Sequence, residues 1–311
     1  MNTQKETRGM GLGALGVAIF AVTLPMTRLA TGTVADPQLT VWFITFARAA
    51  LAGALSVGFL LVTRSPWPLS TQRLPLLMSL LGNAVGFPLF LGLALRQVTS
   101  GHAAVFTALL PLATAAMSAW VLHQRARLGF WLCAGLGALL VAAFSLLRAY
   151  QHGQGFGLEW ADLLLLGAIG SAAVGYVFGA QVTPALGAER VICWVCVMAL
   201  PMSVPGTLIF WPEQAIRTTS WLALAYVGVF SMWAGFFAWF RGLAMGGPLR
   251  VSQVQLVQPF FSILAAVPLL GEPLEVMTLG FAMAVVVVVF LGKRLSASPV
   301  TTVAAPVKGD A

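Results

Sequence analysis

Apolar runs of about twenty residues, the length of helix that spans a bilayer, succeed one another along almost the whole of this chain. No motif constrains the fold as much. In lipid, the backbone of such a run can pair its N–H and C=O groups only as a helix or in a closed barrel. The runs are continuous and lack the alternation of barrel strands, so helices are expected. Only 8% of the residues are charged, against about 25% in a soluble domain. A surface so poor in charge faces lipid. The net charge of +8 therefore reads as a topology signal between spans, and nucleic acid is excluded as a partner.

Ten runs stand out, at residues 9–30, 38–63, 74–95, 98–120, 127–148, 158–181, 188–210, 220–243, 249–270 and 275–293. The first follows Lys5 and Arg8 as a signal peptide would, but it is longer than a signal core and reads as a span. Residues 1–8 are a short cytoplasmic lead. Residues 295–311, rich in Ser, Ala, Pro and Val, read as a disordered cytoplasmic tail. Ten spans place both ends on one side. Of the 17 basic residues, twelve then fall on the side of the termini. Only Arg28, Arg96, Arg148 and Arg217 fall on the other side, and Arg48 lies within a span. The positive-inside rule makes the termini cytoplasmic, in an inner (plasma) membrane.

The ten spans divide into two fives, residues 9–148 and 158–294. Pro111 in the fourth span precedes Gln124, at the turn into the fifth, by the same interval that separates Pro259 in the ninth from Glu272, at the turn into the tenth. Five is odd, so a duplicated half must lie inverted in the membrane. The fold class is an all-α integral membrane protein of ten transmembrane helices in two inverted five-helix repeats. That is a transporter architecture, with its site near the midplane.

The segment Arg250-Val251-Ser252-Gln253-Val254-Gln255-Leu256-Val257-Gln258-Pro259-Phe260, continuing to Leu270-Gly271-Glu272-Pro273-Leu274, is similar to the second-repeat signature of the EamA-domain transporters of the drug/metabolite transporter superfamily. Leu24-Pro25-Met26-Thr27-Arg28 and Arg48 resemble the same family. Where that family often has Gly-Glu at the end of its fourth helix, this chain has His123-Gln124. The resemblance implies export or exchange of small metabolites by alternating access. It also implies a cavity walled by the first, third, fourth, sixth, eighth and ninth spans.

The polar residues inside the spans are the candidate site. At 100° per residue, Ser252, Gln255, Gln258 and Ser262 share a face that lipid cannot satisfy, while Gln253 points elsewhere. Pro259 has no N–H and should free the Gln255 carbonyl; Pro111 does the same for Thr107, near Thr114. Such a face lines a cavity or joins neighbouring helices. Tyr176 is a further cavity candidate. Arg48 is the sharpest residue, about 15 Å into its span, where a charge is expensive. All nine acids fall at span ends, in loops or in the tail, so no acid is expected to neutralise it. Carbonyls, water or a substrate carboxylate are its remaining partners. His102 is the candidate proton-linked residue. Glu272 is expected to stabilise the start of the tenth helix, with Gly271 ending the ninth and Pro273 opening the tenth.

Cys193 and Cys196 have CxxC spacing inside an apolar run and read as core, so no metal or cofactor is expected. HExxH is absent, and Ser100 and His102 sit two apart on a helix, facing different ways. No enzyme is indicated. The reading is a secondary transporter, an exporter or exchanger of small metabolites such as amino acids or related carboxylates. Its partners are a small-molecule substrate, the bilayer and protons as candidate coupling ion; the oligomeric state stays open. An exporter of drug-like or cationic compounds is the alternative, and a membrane receptor or assembly scaffold is the rival class.

Overall fold

Helices form at all ten apolar runs. The computed structural model describes residues 3–121, 128–151, 159–246 and 254–296. Among these the chain is helix and turn; one isolated bridge, Gly32 with Pro37, is the only extended pairing. In chain order the helices are α1 (Thr3–Thr31), α2 (Val41–Val62), α3 (Ser70–Leu95), α4 (Ser100–Val121) and α5 (Leu128–Gln151). The second five are α6 (Trp160–Leu186), α7 (Ala188–Ile209), α8 (from Thr218 to Gly246), α9 (Gln255–Leu270) and α10 (Val276–Ser296). The turn holding His123 and Gln124, and the leading residues Arg250, Ser252 and Gln253, lie outside the described residues.

Local chemistry sets the helix ends. Thr40 and Thr99 cap α2 and α4, their hydroxyls accepting from the N–H groups of Phe43 and His102. Glu159 and Asp162 form a capping box on α6. Gly187 (φ 87°) and Gly271 (φ 68°) end α6 and α9 in conformations that other residues resist. One expectation fails here. Pro273 does not open α10, which begins at Val276 with Glu275 as its cap. Residues 271–275 are non-helical because Glu272 reaches across to α4, as described below.

Seven helices, α1–α4 and α6–α8, are long and apolar enough to cross a membrane, and α5, α9 and α10 contribute shorter apolar segments. Between 44% and 53% of each long span is buried, so about half of every span faces outward. That outer half carries Leu61, Ile209, Leu222 and other large apolar side chains. Lipid dissolves them as well as protein does, so association rests on close packing and interhelical hydrogen bonds. Gly82 illustrates it. A Cβ there would lie 2.4 Å from the Ser171 carbonyl oxygen and 2.5 Å from the Gly175 nitrogen. Only glycine lets α3 approach α6 that closely.

The packing map repeats itself. α1 packs on α8 and α9, just as α6 packs on α3 and α4. α2 meets α7 and α8, and α7 meets α2 and α3. α5 pairs with α10, and α4 with α9. Exchanging each helix for its counterpart five places along leaves this pattern unchanged. The irregularities repeat too. α3 widens into a π-helix over Leu80–Gly86, and α8 over Tyr226–Ala234. α4 breaks at residues 108–109, just before Pro111, and α9 starts with a 3₁₀ turn, Gln255–Val257, just before Pro259.

Candidate functional site

These irregular turns surround a cavity. Its walls are Phe20, Thr23 and Leu24 of α1, Arg48 of α2, Asn83 and Phe87 of α3, and Thr107 and Leu110 of α4. Tyr176 of α6, Ser231 and Phe236 of α8, and Gln258 of α9 complete them. The cavity itself is narrow, about 30 Å³. It lies on the seam between two apolar cores, one containing Leu24 and Leu110, the other Phe20 and Phe236; Tyr176 packs against both. The π-helices account for part of the lining. Asn83 and Ser231 sit within them, Phe87 follows the first directly, and Phe236 comes two residues after the second. A π turn offsets side chains from the regular helical register and is frequent at functional sites.

The polar groups of the cavity are mostly held by neighbours. Thr23 donates to Ser231 across α1 and α8 at 2.8 Å. Asn83 donates to Ser79, which donates to the Gly175 carbonyl of α6. Two groups differ. Arg48 is 2% exposed. Among the described residues its Nη2 reaches only the Met232 thioether, at 3.7 Å, and its Nε has no partner. Gln258 Oε1 is likewise buried without a donor. No carboxylate lines the cavity, and no acid among the described residues pairs with Arg48. An uncompensated buried cation costs several kcal/mol, which a bidentate anion would offset.

Of the sequence candidates, Arg48, Thr107, Tyr176 and Gln258 meet at this cavity, and Gln255, Ser262, Thr114 and His102 do not. Ser262 is buried and donates to the Ala21 carbonyl at 2.8 Å, joining α9 to α1. Thr114 donates to Leu110 of its own helix. The expected common face of Gln255, Gln258 and Ser262 presumed a continuous α-helix. The 3₁₀ turn changes the register, and the Gln258 N–H takes the Gln255 carbonyl that was expected to be free. Thr23, Asn83 and Ser231 were missed. They are small polar residues, and hydropathy does not reveal a π turn.

A second polar cluster occupies one end of the bundle. Arg28 lies 3.3 Å from Glu272 and donates to the Val98 carbonyl. Glu272 also accepts from the N–H groups of Ser100 and Gly101, at 2.9 and 3.2 Å, at the start of α4. It therefore caps the positive end of α4 rather than of α10. Beside it, His102 Nε2 lies 2.7 Å from Asp162 Oδ1. Asp162 is 1% exposed. Asp162 lies at a span end, in the first turn of α6, as expected, but α4 covers that turn and buries it.

The sequence profile of the EamA-like transporter family matches this chain twice, over residues 7–146 and 159–292. A protein of Bacillus subtilis (strain 168) named "Uncharacterized transporter YdeK" is 40% identical over 294 residues, covering 94% of this chain and 99% of that protein. A solved structure described as "Crystal structure of protein" superposes with a TM-score of 0.60 at 20% identity, over 94% of this chain and 98% of that one. The last likeness concerns the fold alone.

Proposed function

The chain belongs to the EamA-like transporter family, and from that premise we propose a ten-span secondary transporter that exports or exchanges small metabolites bearing a carboxylate. Membership supports a multi-pass membrane protein that acts as a transporter. α-Amino acids with apolar side chains are the cargo that fits best. The observation that carries this reading is Arg48, buried in the cavity wall without an acid. A substrate carboxylate supplies the missing anion. Gln258 Oε1, an acceptor without a donor, suits the ammonium group of the same molecule. Phe20, Phe87 and Phe236 offer apolar walls for its side chain.

Contacts between loops support ten crossings. Asp36 and Gln38, between α1 and α2, bond Arg217 and Gln214, between α7 and α8. Glu272, between α9 and α10, meets the end of α1 and the start of α4. Arg241 near the end of α8 meets Glu189 at the start of α7. Each contact joins segments that ten crossings put on one side. The bias of basic residues makes the side of Arg241 and Glu189 cytoplasmic, together with the start of α1 and the end of α10, in the plasma membrane. Alternating access would then expose the cavity to each side in turn.

The test is counterflow in proteoliposomes at equal pH, with unlabelled and labelled leucine, phenylalanine or glutamate, and a lipophilic cation as the competing cargo. Exchange of an amino acid, lost in Arg48→Gln while the protein stays folded, is the expected result. Exchange of the cation alone, indifferent to Arg48, would make this a drug exporter.

A further inference from the structure

Tyr176 shares the cavity wall with Arg48, close enough for its hydroxyl and the guanidinium to interact electrostatically. Among the described residues this hydroxyl makes no hydrogen bond. Its neighbours in the wall are occupied. Thr23 donates to Ser231 at 2.8 Å, and Thr107 donates to the Ala104 carbonyl at 3.1 Å. A phenol packed within a protein ordinarily finds a partner. Tyr226 of α8 does so, donating to the Ile19 carbonyl of α1 at 2.9 Å.

The surroundings hold the Tyr176 ring in place. The preceding residue, Gly175, is where α6 meets the π turn of α3. Its carbonyl accepts from Ser79 at 2.9 Å, and a Cβ there would lie 2.4 Å from the Asn83 side chain. Phe236 of α8 meets the ring edge-on, at 6.2 Å between centroids. The ring packs against both apolar cores, so it has little freedom to turn away from the cavity. A carboxylate accepts about four hydrogen bonds on its two oxygens. Arg48 offers its Nε and Nη2, which leaves lone pairs for a further donor. An O–H donating to an oxyanion is among the short, strong hydrogen bonds. Arg48 belongs to the first half of the chain and Tyr176 to the second.

We propose that the Tyr176 hydroxyl is the second donor to the cargo carboxylate, so that one anion is gripped by Arg48 from the first half and by Tyr176 from the second. This rests on the carboxylate reading above and deepens it. The cavity is about 30 Å³, so a cargo enters only as these walls part, and the two donors then close on it from α2 and α6. A molecule without the carboxylate makes neither contact. Tyr176 therefore sets specificity, and the cargo itself ties the two halves together.

The test uses the full chain in proteoliposomes at equal pH with labelled leucine, and the purified protein in detergent. Tyr176→Phe removes one oxygen and keeps the ring. Its KM for leucine counterflow should rise about tenfold, with the maximal rate within about twofold of wild type. A ring that serves packing alone would leave KM unchanged. The second readout is ultraviolet resonance Raman spectroscopy, in which tyrosine bands report whether a phenol donates a hydrogen bond. The chain has three tyrosines. Added leucine should shift their bands toward a strong donor in wild type and leave them unchanged in Tyr176→Phe. A wild-type KM in Tyr176→Phe overturns the proposal, and so do wild-type tyrosine bands that ignore bound leucine. If exchange is still lost in Arg48→Gln, either outcome leaves the carboxylate reading standing. Exchange of a lipophilic cation alone, with no carboxylate moved, overturns both. Should the variant not fold, the wild-type spectra decide.

Discussion

Arg28 and Arg48 lie on adjacent helices of one bundle and are held in opposite ways. Arg28, in the last turn of α1, has Glu272 at 3.3 Å and donates to the Val98 carbonyl. Arg48, in the middle of α2, has a thioether at 3.7 Å and an Nε with no protein partner. The first charge is compensated by the fold and ties the end of α1 to the start of α4 through Glu272. Among the described residues the second has no fixed counter-charge. A charge neutralised by the protein itself ties helices together, and one left open to a cavity is, on the reading proposed above, the receptor for a substrate anion. The difference lies in where the acids are, at the bundle end and not in the cavity wall.

Substitutions can break or sharpen this contrast. The largest effect belongs to Arg48. Arg48→Gln should lower exchange of carboxylate cargo about a hundredfold, since a hydrogen bond to a charged group is worth up to about 3 kcal/mol; counterflow measures it, and thermal melting in detergent should be little changed. Glu272→Gln should do the reverse. It should cost about 2 kcal/mol of stability by weakening a partly buried pair, read as a lower melting temperature. A cycle with Arg28→Ala should show the two residues coupled. Gln258→Leu comes next, with an expected loss of transport of about tenfold and an unchanged melt. Thr114→Ala is the smallest. Its hydroxyl serves its own helix, so counterflow should stay within about twofold of wild type.

Much of this was legible in the sequence. The ten helices form within a few residues of the apolar runs, because in lipid a continuous apolar run has only one economical backbone. Arg48, Gln258, Thr107 and Tyr176 stood out by residue type alone, since lipid punishes polarity. The rest depended on departures from a regular period. Gln255 was placed on the wrong face because the 3₁₀ turn before Pro259 resets the register. Asn83 and Ser231 sit in π turns that leave hydropathy untouched. Asp162 looked like an ordinary helix-start acid, and its burial is decided by a helix sixty residues away in the chain.

The repeating packing map has a consequence for energetics. Let the two halves adopt slightly different shapes, P and Q. The arrangements PQ and QP then make the same kinds of helix–helix contact, so they are nearly degenerate. Under the proposed alternating access, opening to one side or the other is such an exchange of shapes. The preference between them falls to the residues without a twin in the other half. Arg48 is one, because its counterpart helix α7 sends nothing to the cavity. Among the described residues the Arg28–Glu272 and His102–Asp162 contacts are others. A handful of polar side chains can therefore bias a conformational change that involves the entire bundle, because the apolar remainder contributes almost equally to both states.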